Sequence, residues 1–123
     1  MRIVLVIEDD PVVRRAVAEV LLSAGYGVCE AWSTELIPMV PRLDVVVSDV
    51  VLAQRSDLPA VTEWSRGLRD RFGAPIVLLT GRHDIVQQEP AFLGVADVIA
   101  KPFDIDDLLA RVGRAATEED SAA

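Results

Sequence analysis

The chain has almost none of the side chains that bind soft metals or form cross-links: one cysteine, Cys29, and one histidine, His83, in 123 residues. A single thiol excludes an internal disulfide and any multi-cysteine metal centre. Cys29 reads as a small buried apolar residue and His83 as part of an exposed loop. Long hydrophobic runs are missing too. No stretch approaches the roughly 20 apolar residues that span a bilayer, and the apolar start at Ile3 breaks at Glu8, too early for a signal peptide. The expectation is a cytoplasmic protein with no membrane partner. Positive charge is short: 12 Lys and Arg stand against 20 Asp and Glu, a formal net charge of −8. That sign opposes direct binding to the phosphates of a nucleic acid.

What is present suits one globular unit, since 51% of the residues are apolar in a chain of ordinary single-domain length. Ile3 to Ile7 is a wholly apolar, β-branched run that stops at Glu8, Asp9 and Asp10, the pattern of a strand buried on both faces. Val45 to Val47 stops at Ser48 and Asp49, Ile76 to Leu79 at Thr80, and Val98 to Ala100 at Lys101, while Gly27 to Ala31 is a weaker run of the same kind. Helical spacing lies between them. Val13, Val17, Val20, Leu21 and Ala24 form a stripe that opens with Asp10 and Pro11 and closes at Gly25. Val61, Trp64, Leu68 and Phe72 form a second, closed by Gly73, and Ile105, Leu108, Leu109 and Val112 a third behind Asp104. These stripes and both tryptophans, Trp32 and Trp64, are expected in the core. Two helices are expected to be short or broken: one after Thr34, crowded by Pro38 and Pro41, and one from Asp84 to Leu93, interrupted by Pro90. The small, acidic end from Ala115 reads as a flexible tail, which divides the chain into a domain over 1–115 and a tail over 116–123.

Strands alternating with helices predict an α/β fold: a doubly wound parallel sheet with right-handed crossovers and helices on both faces. Ligands of such sheets bind beyond the carboxyl ends of the strands. The polar residues that stop the runs, Glu8, Asp9, Asp49, Thr80 and Lys101, should therefore meet at one edge. Three carboxylates held together in a partly desolvated cleft take up protons or require a cation. All-oxygen ligation favours a hard ion, Mg²⁺ with Mn²⁺ as an alternative, over zinc. With a carboxylate nucleophile, a hydroxyl and an ammonium added, the set matches the needs of phosphoryl transfer. Taken alone, the acids at Glu8 to Asp10 are equally well read as an ordinary helix start and Lys101 as a surface lysine. Their convergence is what favours function.

The runs Val6-Ile7-Glu8-Asp9-Asp10, Val45-Val46-Val47-Ser48-Asp49, Leu78-Leu79-Thr80-Gly81 and Lys101-Pro102-Phe103-Asp104 resemble the receiver domain of bacterial response regulators, over nearly the whole chain. The resemblance implies a flavodoxin-like, five-stranded sheet of order 2-1-3-4-5. It also implies a non-enzymatic phosphoacceptor of a two-component system. Asp49 would be phosphorylated by a sensor histidine kinase or a histidine phosphotransfer protein. Mg²⁺ would be held by Glu8, Asp9, Asp49 and the backbone carbonyl of Val51, with Glu8 acting chiefly through a metal-bound water. Thr80 and Lys101 would hold the phosphoryl oxygens, and the bond to Pro102 would be cis. Val51 and Arg82 flank the pocket and would tune access of water.

The chain departs from the family pattern in two places. Ala53 stands where the family usually has proline, and the loop from Gln54 to Leu58 offers Asp57 but no glycine; Val98 replaces the usual aromatic, so no aromatic switch operates there. The leading expectation is a stand-alone receiver that engages an unknown downstream protein once phosphorylated. The alternatives are a receiver-like adaptor that works without phosphorylation, a small aspartyl-phosphate phosphatase, and the amino-terminal part of a longer regulator. Asp97 and Arg111 resemble residues through which some receivers pair, which adds a phosphorylation-dependent homodimer to the expectations.

Overall fold

Each of the five apolar runs forms a strand whose side chains pack on both faces of the sheet. In the computed structural model, which describes residues 1–33, 42–50 and 57–122, β1 spans Ile3–Ile7, β2 Gly27–Ala31, β3 Val45–Asp49, β4 Ile76–Thr80 and β5 Asp97–Ala100. All pairings are parallel, in the order β2-β1-β3-β4-β5 expected from the sequence. Alternation along the strands divides the core in two. Val4, Val6, Val45, Val47, Val77 and Leu79 face one way, against Val17 and Leu21 of α1 (Pro11–Ser23) and Leu108 and Val112 of α5 (Ile105–Ala122). Leu5, Ile7, Val46, Ile76 and Leu78 face the other way, against Val61 and Leu68 of α2 (Leu58–Phe72), Ile85 of α3 (His83–Val86) and Leu93 of α4 (Pro90–Leu93). This two-sided burial is why β1, β3 and β4 read as unbroken apolar runs.

Helix ends follow local chemistry. The Asp10 carboxylate accepts from the amides of Val12 at 2.9 Å and Val13 at 3.3 Å, with Pro11 at the first helical position. Asp57 caps α2 through the Ala60 amide and Asp104 caps α5 through the Asp107 amide, at 2.9 and 3.0 Å. Asp10→Ala should cost about 1 kcal/mol, the usual worth of a lost carboxylate cap. Urea denaturation should show it as a lower midpoint with an unchanged slope. The segment around Pro90 is two single turns, α3 and α4, because proline at the first position of α4 cannot donate to a preceding turn. His83 is exposed, as expected, although it opens α3 rather than lying in a loop.

Several expectations are corrected. Trp32, expected in the core, is 56% exposed: it follows the last residue of the edge strand β2. Trp64 is half-buried against the second cluster. Ile105 is 54% exposed, and Leu108 is the first buried position of α5. Cys29 is half-buried rather than enclosed, on β2, which among the described residues has a strand neighbour on one side only. At the other end α5 continues to Ala122, where composition suggested a flexible tail from Ala115. Ala115 and Ala116 are buried against the first cluster, and Arg2 Nη1 donates to the Ala116 carbonyl at 2.8 Å. The short helix expected after Thr34 lies outside the described residues. Among the described residues, no helix is long and apolar enough to cross a membrane.

Candidate functional site at the carboxyl edge of the sheet

The order β2-β1-β3 makes the chain leave β1 toward one edge and β3 toward the other, which opens a crevice between their carboxyl ends. Glu8 and Asp9 follow β1 there and Asp49 is the last residue of β3. One carboxylate oxygen from each of Glu8, Asp9 and Asp49 lies within 4.8 Å of the others. Glu8 is only 2% exposed, Asp49 is half-buried and Asp9 is exposed, so the cluster opens toward solvent on the Asp9 side.

The β5 end supplies the counter-charge. Lys101 Nζ lies 2.9 Å from Glu8 Oε2 and 3.2 Å from Asp49 Oδ1. Burial pushes the Glu8 carboxyl above its usual range, against the opposing pull of the Lys101 hydrogen bond; the negative charge of Asp49 adds to the rise. For Lys101 burial works against the charged form, yet the hydrogen bond to Glu8 and the charges of Asp49 and Glu8 outweigh it, and its pKa is raised. The lysine therefore sits charged between two carboxylates, one of which resists ionisation. Such a set of carboxylate oxygens with a single ammonium fits a hard divalent cation, which would complete the neutralisation that one lysine begins.

Thr80 closes β4 and is buried at 2% exposure. Its hydroxyl oxygen accepts the Arg82 amide at 3.0 Å, and its carbonyl accepts the Lys101 amide at 2.9 Å, tying the ends of β4 and β5 together. The Lys101–Pro102 peptide bond is cis. The Arg82 guanidinium is held by Asp84, with hydrogen bonds of 2.8 and 3.2 Å. Val98 is 8% exposed and packs in the second cluster, in register with Leu78. Val51 and Ala53 lie outside the described residues. Asp97 and Arg111 pair with each other within the chain, and Arg111 Nε also bonds Asp107 at 2.9 Å.

The structure thus brings Glu8, Asp9, Asp49, Thr80 and Lys101 to one edge, as the strand ends implied. It adds a feature the sequence reading passed over, the fixing of Glu8 itself. The Glu8 amide donates to the Ala31 carbonyl at 3.0 Å, its Oε1 accepts the Asp10 amide at 3.2 Å, and its carbonyl accepts Arg14 Nη1 at 3.0 Å. The available signal was an arginine early in α1, since helical side chains lean back toward the helix start.

Comparison with known proteins gives the family and the fold. Residues 4–113 match the family described as the response regulator receiver domain. The transcriptional regulatory protein KdpE of Mycobacterium tuberculosis is 35% identical over 128 aligned residues, which cover 100% of this chain and 54% of that protein. DltR of Streptococcus agalactiae is 32% identical over 113 residues, 88% of this chain and 49% of its own length. The chain spans about half the length of these curated relatives. A receiver domain from Clostridium thermocellum superposes with a TM-score of 0.74 at 21% identity, with 100% of both chains covered. The response regulator TrrA of Thermotoga maritima, described in complex with Mg²⁺ and BeF, gives 0.73 at 24% identity over 94% of this chain and 99% of its own. With the strand order, the residues at the strand ends and the family match in agreement, this chain belongs to the response regulator receiver domains of two-component signalling.

Proposed function

We propose that this receiver accepts a phosphoryl group on Asp49 in a Mg²⁺-dependent reaction and then changes its binding to a downstream protein. The observation that carries the reading is the clustering of the Glu8, Asp9 and Asp49 oxygens within 4.8 Å, with Lys101 Nζ at 3.2 Å from Asp49. The description of TrrA with Mg²⁺ and BeF on the same fold accords with it. A bound Mg²⁺ would offset the negative charge gathered on the phosphoryl oxygens and the three carboxylates. Glu8, Asp9 and Asp49 would hold it, together with the Val51 carbonyl.

The remaining chemistry belongs to the chain. An Asp49 carboxylate oxygen attacks the phosphorus of a phosphohistidine on a sensor kinase or a histidine phosphotransfer protein. The P–O bond forms as the P–N bond breaks, and the freed imidazole takes up a proton. The Thr80 hydroxyl and the Lys101 ammonium meet the equatorial oxygens, where charge is greatest in the transition state. Reaching the phosphoryl group draws Lys101 away from Glu8, so phosphorylation alters the contacts between the β1 and β5 ends. KdpE and DltR are named transcriptional regulatory proteins, which accords with an output through a DNA-binding effector rather than through this acidic domain.

The function is tested by intact-mass measurement after incubation with Mg²⁺ and acetyl phosphate, where an unchanged native chain overturns it. The metal site has its own test. At free Mg²⁺ ten times its Kd, binding to the native state alone adds about 1.4 kcal/mol of stability. For a domain of this size that is a rise of roughly 3 to 8 °C in melting temperature. Asp9→Asn should lose most of the rise. An equal rise in that variant would place the ion elsewhere.

A further inference from the structure

We infer that Arg14 is the positioning residue of this site: it holds the peptide between Glu8 and Asp9 in the orientation that aims both carboxylates into the crevice. The inference rests on the reading that these carboxylates take up Mg²⁺. Arg14 lies on the second turn of α1, with its side chain 19% exposed, and donates from Nη1 to the Glu8 carbonyl at 3.0 Å. That oxygen belongs to the peptide plane joining Glu8 to Asp9. Pinning it restrains ψ of Glu8 and φ of Asp9, the two backbone rotations that set how the Cα–Cβ bonds of the two acids lie relative to each other.

The guanidinium is itself anchored, with Nε 3.6 Å from Glu30 Oε1 on β2. On the other side of the same residue, the Glu8 amide is tied to Ala31 of β2 at 3.0 Å. Glu8 is thus gripped fore and aft by one strand, directly through Ala31 and indirectly through Glu30 and Arg14. The planar fork of an arginine can serve a carbonyl and a carboxylate at once, which a point-like ammonium does less well. Neighbouring Arg15 makes the ordinary surface version of this contact. It is 56% exposed and bonds Glu30 at 2.9 Å and Glu19 at 3.3 Å, both of them side chains.

Charge and positioning predict opposite signs for loss of Arg14. Arginine is a cation near a cation site, so if only its charge mattered, Arg14→Met would bind Mg²⁺ more tightly. If it positions the ligands, Arg14→Met binds more weakly, by about tenfold, the lower end for groups that orient a metal ligand from behind. The experiment is calorimetric titration of the full chain with MgCl₂, for the native protein, Arg14→Met, Arg14→Lys and Arg15→Met, with circular dichroism to verify folding. The expected results are a tenfold loss in Arg14→Met, partial recovery in Arg14→Lys, and a change of less than about twofold in Arg15→Met, which removes the same charge without touching the Glu8 carbonyl. Should Arg14→Met fail to fold, Arg14→Lys, which keeps the charge and gives up the planar fork, should still weaken binding by a few-fold, and binding equal to the native chain would overturn the positioning role. A native chain that binds Mg²⁺, with an Arg14 variant that binds equally or more tightly, overturns the positioning role alone. A native chain that takes up no Mg²⁺ overturns the metal reading and this inference with it.

Discussion

Asp49→Asn should take phosphoryl uptake from acetyl phosphate from one group per chain to none. The substitution keeps the shape of the side chain and its ability to accept a hydrogen bond from Lys101, 3.2 Å away in the native protein. What it removes is the anionic oxygen that attacks phosphorus, and a neutral amide is no substitute nucleophile. Asp9, the other solvent-facing acid of the cluster, remains in the variant. Residual labelling at the native level would therefore move the acceptor to a different carboxylate. Intact-mass measurement in Mg²⁺, with and without a chelator, reads the outcome, and peptide mapping locates any label that remains.

Lys101→Met should move metal binding and phosphoryl transfer in opposite directions. In the native chain the ammonium contacts Glu8 at 2.9 Å and Asp49 at 3.2 Å, the oxygens offered to the ion, so it competes with Mg²⁺ for them. Replacing it with an apolar chain of similar reach removes the competitor, and Mg²⁺ affinity should rise several-fold at neutral pH. Phosphoryl transfer loses a cationic donor aimed at the charge that develops on the equatorial oxygens. Its rate at saturating Mg²⁺ should fall by about 10² to 10³, the usual cost of deleting one such donor. Calorimetry gives the affinity and time-resolved mass measurement the rate. An undiminished rate with tighter binding would reduce Lys101 to a placeholder for the metal; weaker binding would mean that its ion pairs hold the carboxylates in place. Lys101 and Arg14 are thereby distinguished: both are cations beside the cluster, yet loss of the first should tighten metal binding and loss of the second should loosen it.

Much of the sheet was legible because its signals are local. A β-branched apolar run such as Ile3 to Ile7 has few other uses, and the residue on which it stops is fixed in sequence whatever the tertiary contacts. Glu8, Asp49, Thr80 and Lys101 could be placed at strand ends for that reason. The split of the segment around Pro90 was equally readable, because proline acts through its own backbone. The expectations that failed concern the limits of the core. Trp32 and Ile105 are apolar and were assigned inside, but apolarity states what burial would gain and not whether a helix or strand lies close enough to provide it.

The sequence by itself therefore determined the fold class, the residues that end each strand, and the kind of chemistry a cluster of carboxylates with one lysine can support. Tertiary structure alone decided which of those groups touch. The Lys101 ammonium meets a carboxylate 93 residues away, and Arg14 reaches the Glu8 carbonyl while Glu30 of another strand holds its guanidinium. Such contacts depend on strand order, on register and on the path of α1 over the sheet. Periodicity encodes none of these directly, because a side chain's spacing along the chain tells which face it takes and not which distant residue that face will meet.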